Sequence, residues 1–142
     1  MIQRIQSLFL LGVIAAGILL FYFPLLSYSV SNNENGVLRQ FLIPDNFYLN
    51  LLTVSIIIVA AISISQFKNR MRQVKFCGFN MLLATILLIA IFYVEGKLID
   101  GEVKVKYETG IYLILLILVF LWAAIRFIRK DEEMVRSAER LR

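Results

Sequence analysis

Histidine is absent from the 142 residues, and cysteine occurs once, as Cys77. The first absence excludes imidazole metal sites, Ser-His and Cys-His nucleophiles, and the usual proton switch near neutral pH. The second excludes an intramolecular disulfide and a cysteine zinc cluster. Charge is also scarce, at 18% of residues against about 25% in a soluble domain. In its place the chain carries 60% hydrophobic residues, more than a water-facing surface tolerates at this size. Lipid is the expected solvent.

Four apolar runs carry that excess: residues 8–26, 47–67, 76–94 and 109–128. Each approaches the roughly 20 residues that a helix needs to cross a ~30 Å hydrocarbon core. Barrel strands are shorter and alternate in polarity, whereas these runs are apolar on every face. The first run is too long for the h-region of a cleaved signal peptide and is read as a retained span. Within it, Gly12 and Ala16 offer a small face for close helix contact. Pro24 is expected to disturb only its last turn.

Basic residues sort by side. Arg4, Lys68, Arg70, Arg72, Lys75, Arg126, Arg129, Lys130, Arg136, Arg140 and Arg142 fall on one side; Arg39, Lys97, Lys104 and Lys106 fall on the other. Short flanking loops are where the positive-inside rule applies, so both termini are expected in the cytoplasm. The net charge of +5 is thereby read as topology, and no nucleic-acid partner is expected. Aromatic residues at the span ends, among them Tyr22, Tyr48, Tyr93 and Trp122, suit the headgroup level.

The expected fold is an all-α, antiparallel bundle of four transmembrane helices forming one integral membrane domain. Residues 68–75 make a tight basic turn between the second and third spans. In the outer loop 95–108, Asp100-Gly101 and the alternating Glu102–Tyr107 suggest a β-hairpin. The outer loop 27–46 suggests another, and the two could pair into one small sheet. The tail 129–142 is expected to continue the fourth helix.

Chemistry is sparse. No Asp, Glu or Lys lies inside the four runs, and Arg126 sits at an inner end. Ion and proton pathways usually need such groups, so their absence counts against a pump, a proton-coupled transporter or a voltage sensor. Asn50, Thr53, Ser55, Asn80 and Thr85 are neutral polar groups suited to bonds between helices. No acid–base pair or metal-ligand spacing appears, so the chain reads as a non-enzyme without cofactor or metal. Cys77 reads as a small hydrophobe. Arg4, Lys68, Arg70, Arg72, Lys75 and Arg126 read as basic groups at the membrane surface.

The tail supplies the most specific functional expectation. Met134, Ala138 and Leu141 form a narrow apolar stripe among Arg129, Lys130, Arg136 and Arg140. These residues suit a docking surface for a cytoplasmic protein, which makes the chain an accessory or scaffold subunit. The alternative is a small oligomeric transporter or channel for a neutral or apolar solute, lined by Asn50, Thr53, Asn80 and Thr85.

The two ends also resemble a known family. Met1-Ile2-Gln3-Arg4-Ile5-Gln6-Ser7-Leu8 and Arg129–Arg142 are similar to the opening and closing words of a domain-of-unknown-function family, small four-helix inner-membrane proteins of Bacteroidetes. Glu133 and Glu139 stand where that family more often has Lys and Asp. The resemblance implies a bacterial inner-membrane protein. It supplies no catalytic or binding residues.

Overall fold

Each long helix buries a stripe of residues spaced alternately three and four apart, the spacing that keeps one face turned toward neighbouring helices. The computed structural model describes residues 3–30, 37–66, 69–98 and 105–140. Its helices are α1 (Gln3–Leu19), α2 (Phe47–Ser65), α3 (Arg70–Leu98) and α4 (Thr109–Arg140), and its strands are β1 (Leu26–Val30), β2 (Val37–Phe41) and β3 (Val105–Tyr107). In α2 the buried stripe is Leu49, Thr53, Ile56, Ala60 and Ser63. In α4 it runs Ile114, Ile117, Leu121, Ala124, Ile128 and Asp131. Helix α1 packs against α2 and α4, and α3 packs against the same two, so the four helices close a ring.

The outward faces are as apolar as the interior. Leu8, Leu51, Ile58, Phe79, Leu82, Ile89, Leu115 and Val119 are all exposed. Helices apolar on every side suit lipid surroundings, where outer faces need no polar cover. Three helices, Phe47–Ser65, Arg70–Lys97 and Thr109–Val135, are long and apolar enough to cross a membrane.

The first helix departs from the expected span 8–26. It has 17 residues, a rise of about 25 Å at ~1.5 Å per residue. Tight turns follow, with Phe21 N donating to Ile18 O and Tyr22 N to Leu19 O. Pro24 then removes the next helical donor, and the residue before a proline is steered away from helical backbone. By Leu26 the chain has become a strand, so residues 20–26 belong to the turn and sheet. Proline therefore ends this helix instead of disturbing its last turn.

The other ends differ less. Helix α2 begins at an Asn46 cap, whose Oδ1 accepts from Tyr48 N at 3.0 Å. Helix α3 begins at Arg70, so the expected turn 68–75 shrinks: Arg70, Arg72 and Lys75 are helical, while Phe67 and Lys68 lie outside the described residues. Arg, Lys, Gln and Met are good helix formers, so the helix runs on past its apolar segment.

Of the hairpin expected within 95–108, residues 99–104, including Asp100-Gly101, lie outside the described residues. Helix α3 continues through Lys97 and Leu98, leaving β3 as the only described strand of that segment. The hairpin within 27–46 does form, and the two loops share one sheet of order β2-β1-β3. Strand β1 pairs antiparallel with both neighbours, Leu26 facing Phe41 on one side and Tyr107 on the other. Backbone pairing continues to the start of α4: Glu108 N donates to Leu25 O at 3.0 Å and Gly110 N to Pro24 O at 2.9 Å.

Small residues set the helix spacing. A Cβ on Gly12 would lie 2.7 Å from the Phe120 ring, and one on Gly17 would lie 2.8 Å from Ile57. The small stripe of α1 thus admits α4 at one position and α2 at the other.

Candidate functional site

The buried stripes turn polar at their ends. Away from the sheet, Gln6 of α1, Gln73 of α3 and Asp131 of α4 are all buried. Arg70, in the first turn of α3, closes this end. Its Nη2 lies 3.2 Å from Asp131 Oδ2, while Nη1 donates to the Asp131 carbonyl at 3.3 Å. Gln6 Nε2 reaches the same carboxylate oxygen at 3.5 Å and the Phe127 carbonyl at 3.4 Å. Three helices therefore meet at one carboxylate. The Asp131 side chain is 9% exposed and that of Arg70 24%, so the cation keeps water while the anion has lost most of it.

Just inside this clamp, aromatic rings join α1 to α4. Phe9 stacks on Phe127 with centroids 5.4 Å apart, and it meets Phe120 at 6.1 Å. On the exposed face of α4, the Arg126 guanidinium lies 5.4 Å from the Trp122 ring centroid, within cation–π range. Arg129 and Lys130 follow on the exposed surface. An open groove of about 860 Å³ runs along this face beside α3, its apolar lining being Met81, Trp122, Ile125 and Phe127.

Beyond Asp131 the helix continues, with Glu132 half-buried and Glu133, Met134 and Val135 exposed. Of the residues singled out for docking, Arg129, Lys130 and Met134 are exposed. Arg136, Ala138 and Arg140 belong to α4, although their side chains are outside the described set; Leu141 lies wholly outside it. Of the surface cations, Arg72, Lys75 and Arg126 are exposed. Arg4 is placed in α1 without a described side chain. Arg70 is instead committed to Asp131, a role that neither residue displays in isolation.

The neutral polar groups of the helices do not share a surroundings. Asn80 Nδ2 donates across to the Ile56 carbonyl of α2 at 3.2 Å, while its Oδ1 is buried without a partner among the described residues. Thr53, Ser55 and Thr85 each donate to the carbonyl four residues earlier in their own helix. Thr53 is buried, Asn50 half-buried and Thr85 exposed. Cys77 is buried in the third turn of α3, with Ser63 Oγ 3.2 Å from its sulfur.

The opposite end has its own polar contacts. Tyr107 donates to Glu95 Oε1 at 2.9 Å, and Ser27 donates to Glu108 Oε1 at 2.8 Å. Donation to Glu95 holds the Tyr107 phenol above its ordinary pKa, with partial burial and the carboxylate's charge adding to the effect. Among the described residues, no group of three or more Cys, Asp or Glu side chains comes together to hold a metal.

A ring of helices apolar on both faces, polar at its two ends and capped by a small sheet, defines a helical protein with membrane-type spans. The chain belongs to the family described as Domain of unknown function (DUF4293), which it matches over residues 2–141. No curated protein and no solved structure matches it.

Proposed function

We propose that the chain is a four-span protein of a bacterial inner membrane, with both termini cytoplasmic, which serves as an accessory or scaffold subunit. In this reading α1 is the fourth span, and its exposed Leu8, Leu11, Ile18 and Leu19 meet lipid. The clamp end holds most of the basic residues and therefore faces the cytoplasm. A helix of 17 residues then completes its crossing through the apolar turn that precedes Pro24, helped by local thinning of the bilayer.

One observation carries the docking role: α4 remains helical beyond the Asp131 clamp to Arg140, and it presents Met134 and Val135 to the exterior. The residues beyond the clamp, 132–140, are unnecessary for crossing. The clamp holds the base of this extension in a fixed direction, and Arg129 and Lys130 are exposed just before it. A cytoplasmic protein with a complementary apolar strip and acidic flanks is the partner such a surface fits.

Truncation after residue 133 tests the assignment while retaining Asp131. A photocrosslinker at Met134 is expected to capture one protein of defined mass in growing cells, and one at Leu115 is not. Capture that is identical at both positions, or a partner that still co-purifies with the truncated chain, would overturn the docking role. The solute-carrier alternative has weaker support, because Thr85 points away from the interior shared by Thr53 and Asn80.

A further inference from the structure

We propose that the groove on the outer face of α4 is a binding site for an anionic phospholipid. Trp122, Arg126, Arg129 and Lys130 recur at helical spacing, so apolar and cationic groups share one face. The floor of Met81, Trp122 and Ile125 lies on the side of the apolar segment, and the basic residues lie toward its clamp end. From Trp122 to Lys130 the helix rises about 12 Å at ~1.5 Å per residue, comparable to the depth from upper acyl chain to headgroup phosphate.

The charges are available. Among the described residues, Arg126, Arg129 and Lys130 form no ion pair with a carboxylate, in contrast to Arg70. Arg126 is held over Trp122, which places its guanidinium beside the apolar floor. Glu133 also lines the groove, and its place in α4 beyond Lys130 disfavours a phosphate on that side. An inorganic phosphate would use the cations and leave the floor empty. An amphiphile with a phosphate head uses both, as basic pockets beside membrane helices commonly do.

This site rests on the membrane placement proposed above and shares Arg129 and Lys130 with the docking surface. Native mass spectrometry of the full chain, released from detergent with equal phosphatidylglycerol and phosphatidylcholine, tests it. The wild-type chain is expected to retain phosphatidylglycerol preferentially. The triple variant Arg126→Gln, Arg129→Gln, Lys130→Gln is expected to lose that preference by about tenfold or more. The triple variant Arg39→Gln, Lys97→Gln, Lys106→Gln, with equal charge removed at the sheet end, is expected to keep it.

Trp122→Ala separates lipid from free phosphate. It lowers lipid retention if the floor holds an acyl chain, and it leaves retention unchanged if only the phosphate is held, which would overturn the lipid assignment. Equal retention of the two lipids by the wild type, or equal loss in both triple variants, would also overturn the site. Arg129→Gln alone, on an exposed helix face, keeps the comparison independent of folding. A chain that stays dispersed without detergent and binds neither lipid would instead remove the membrane placement itself.

Discussion

Arg70 and Asp131 are 61 positions apart in the chain, yet the guanidinium of one grips both the carboxylate and the backbone carbonyl of the other. Two antiparallel helices are thereby fixed at the point where α4 leaves the apolar body of the protein. Gln6 extends the grip to α1.

The first prediction follows from the unequal burial of this pair. Arg70→Ala strands a carboxylate that is nearly out of water, and it should cost about 3 kcal/mol, the low end of the range for breaking a buried pair. Asp131→Ala strands a cation that still reaches solvent and should cost less. The double variant Arg70→Met, Asp131→Leu should recover much of the loss, because no charge is left unpaired. Thermal inactivation in detergent, followed by size-exclusion chromatography, measures all three. A double variant as unstable as Arg70→Ala would remove the stranded-charge explanation.

Glycine at 110 is required for room, since none of the described glycines has positive φ. A Cβ there would lie 2.8 Å from the Pro24 carbonyl oxygen and 3.1 Å from Leu25 Cα. That oxygen already accepts the Gly110 N–H, so it has little freedom to retreat. Gly110→Ala should cost roughly 1–3 kcal/mol, the usual range for overpacking. Gly12→Ala meets only the edge of the Phe120 ring, which can turn, and should cost less. The same stability assay orders the two variants, and the reverse order would show that the sheet junction tolerates expansion.

Asn80 makes one bond between helices and leaves its Oδ1 without a partner among the described residues. Hydrogen bonds between membrane helices are worth about 0.6 kcal/mol on average, less than the roughly 1–3 kcal/mol cost of leaving a buried oxygen unpaired. Asn80→Leu should therefore cost less than about 1 kcal/mol. A large loss in the unfolding assay would point to a further group on that oxygen.

How much of this was readable in the chain varies by element. The apolar runs announce themselves because a lipid-facing helix is apolar all round, so composition alone finds α2, α3 and α4. Their ends are harder: nothing marks Arg70 as the first helical residue, and Asp100-Gly101 suggested a hairpin whose first arm, Lys97-Leu98, continues a helix instead. Pro24 was visible, but its effect depends on strand pairing by Leu26, which only the tertiary arrangement supplies. The clamp was half-legible. Asp131 continues the three-and-four spacing of Leu121, Ala124 and Ile128, a pattern that assigns it to the buried face. The adjacent Glu132 and Glu133 hide that periodicity. Its partner was not legible, since Gln6, Arg70 and Asp131 meet only once the antiparallel order of the helices is known.

The last prediction concerns the sheet end. The protonated Tyr107 phenol donates to Glu95, and an ionised phenolate would face that carboxylate directly. Its pKa is therefore raised above the ordinary 10.0. For an acid whose folded pKa is raised, the stabilisation is complete below the unfolded value and disappears as pH rises through the folded one. The contact should thus be at full strength at neutral pH and fail only in strong alkali. Absorbance of tyrosinate near 295 nm should show a late-titrating component, and Glu95→Gln should move that component to lower pH. Identical titrations of the two proteins would mean that the phenol does not give its proton to Glu95. Because Tyr107 sits in β3 and Glu95 near the end of α3, that result would also remove the side-chain tie between the sheet and the helix beneath it.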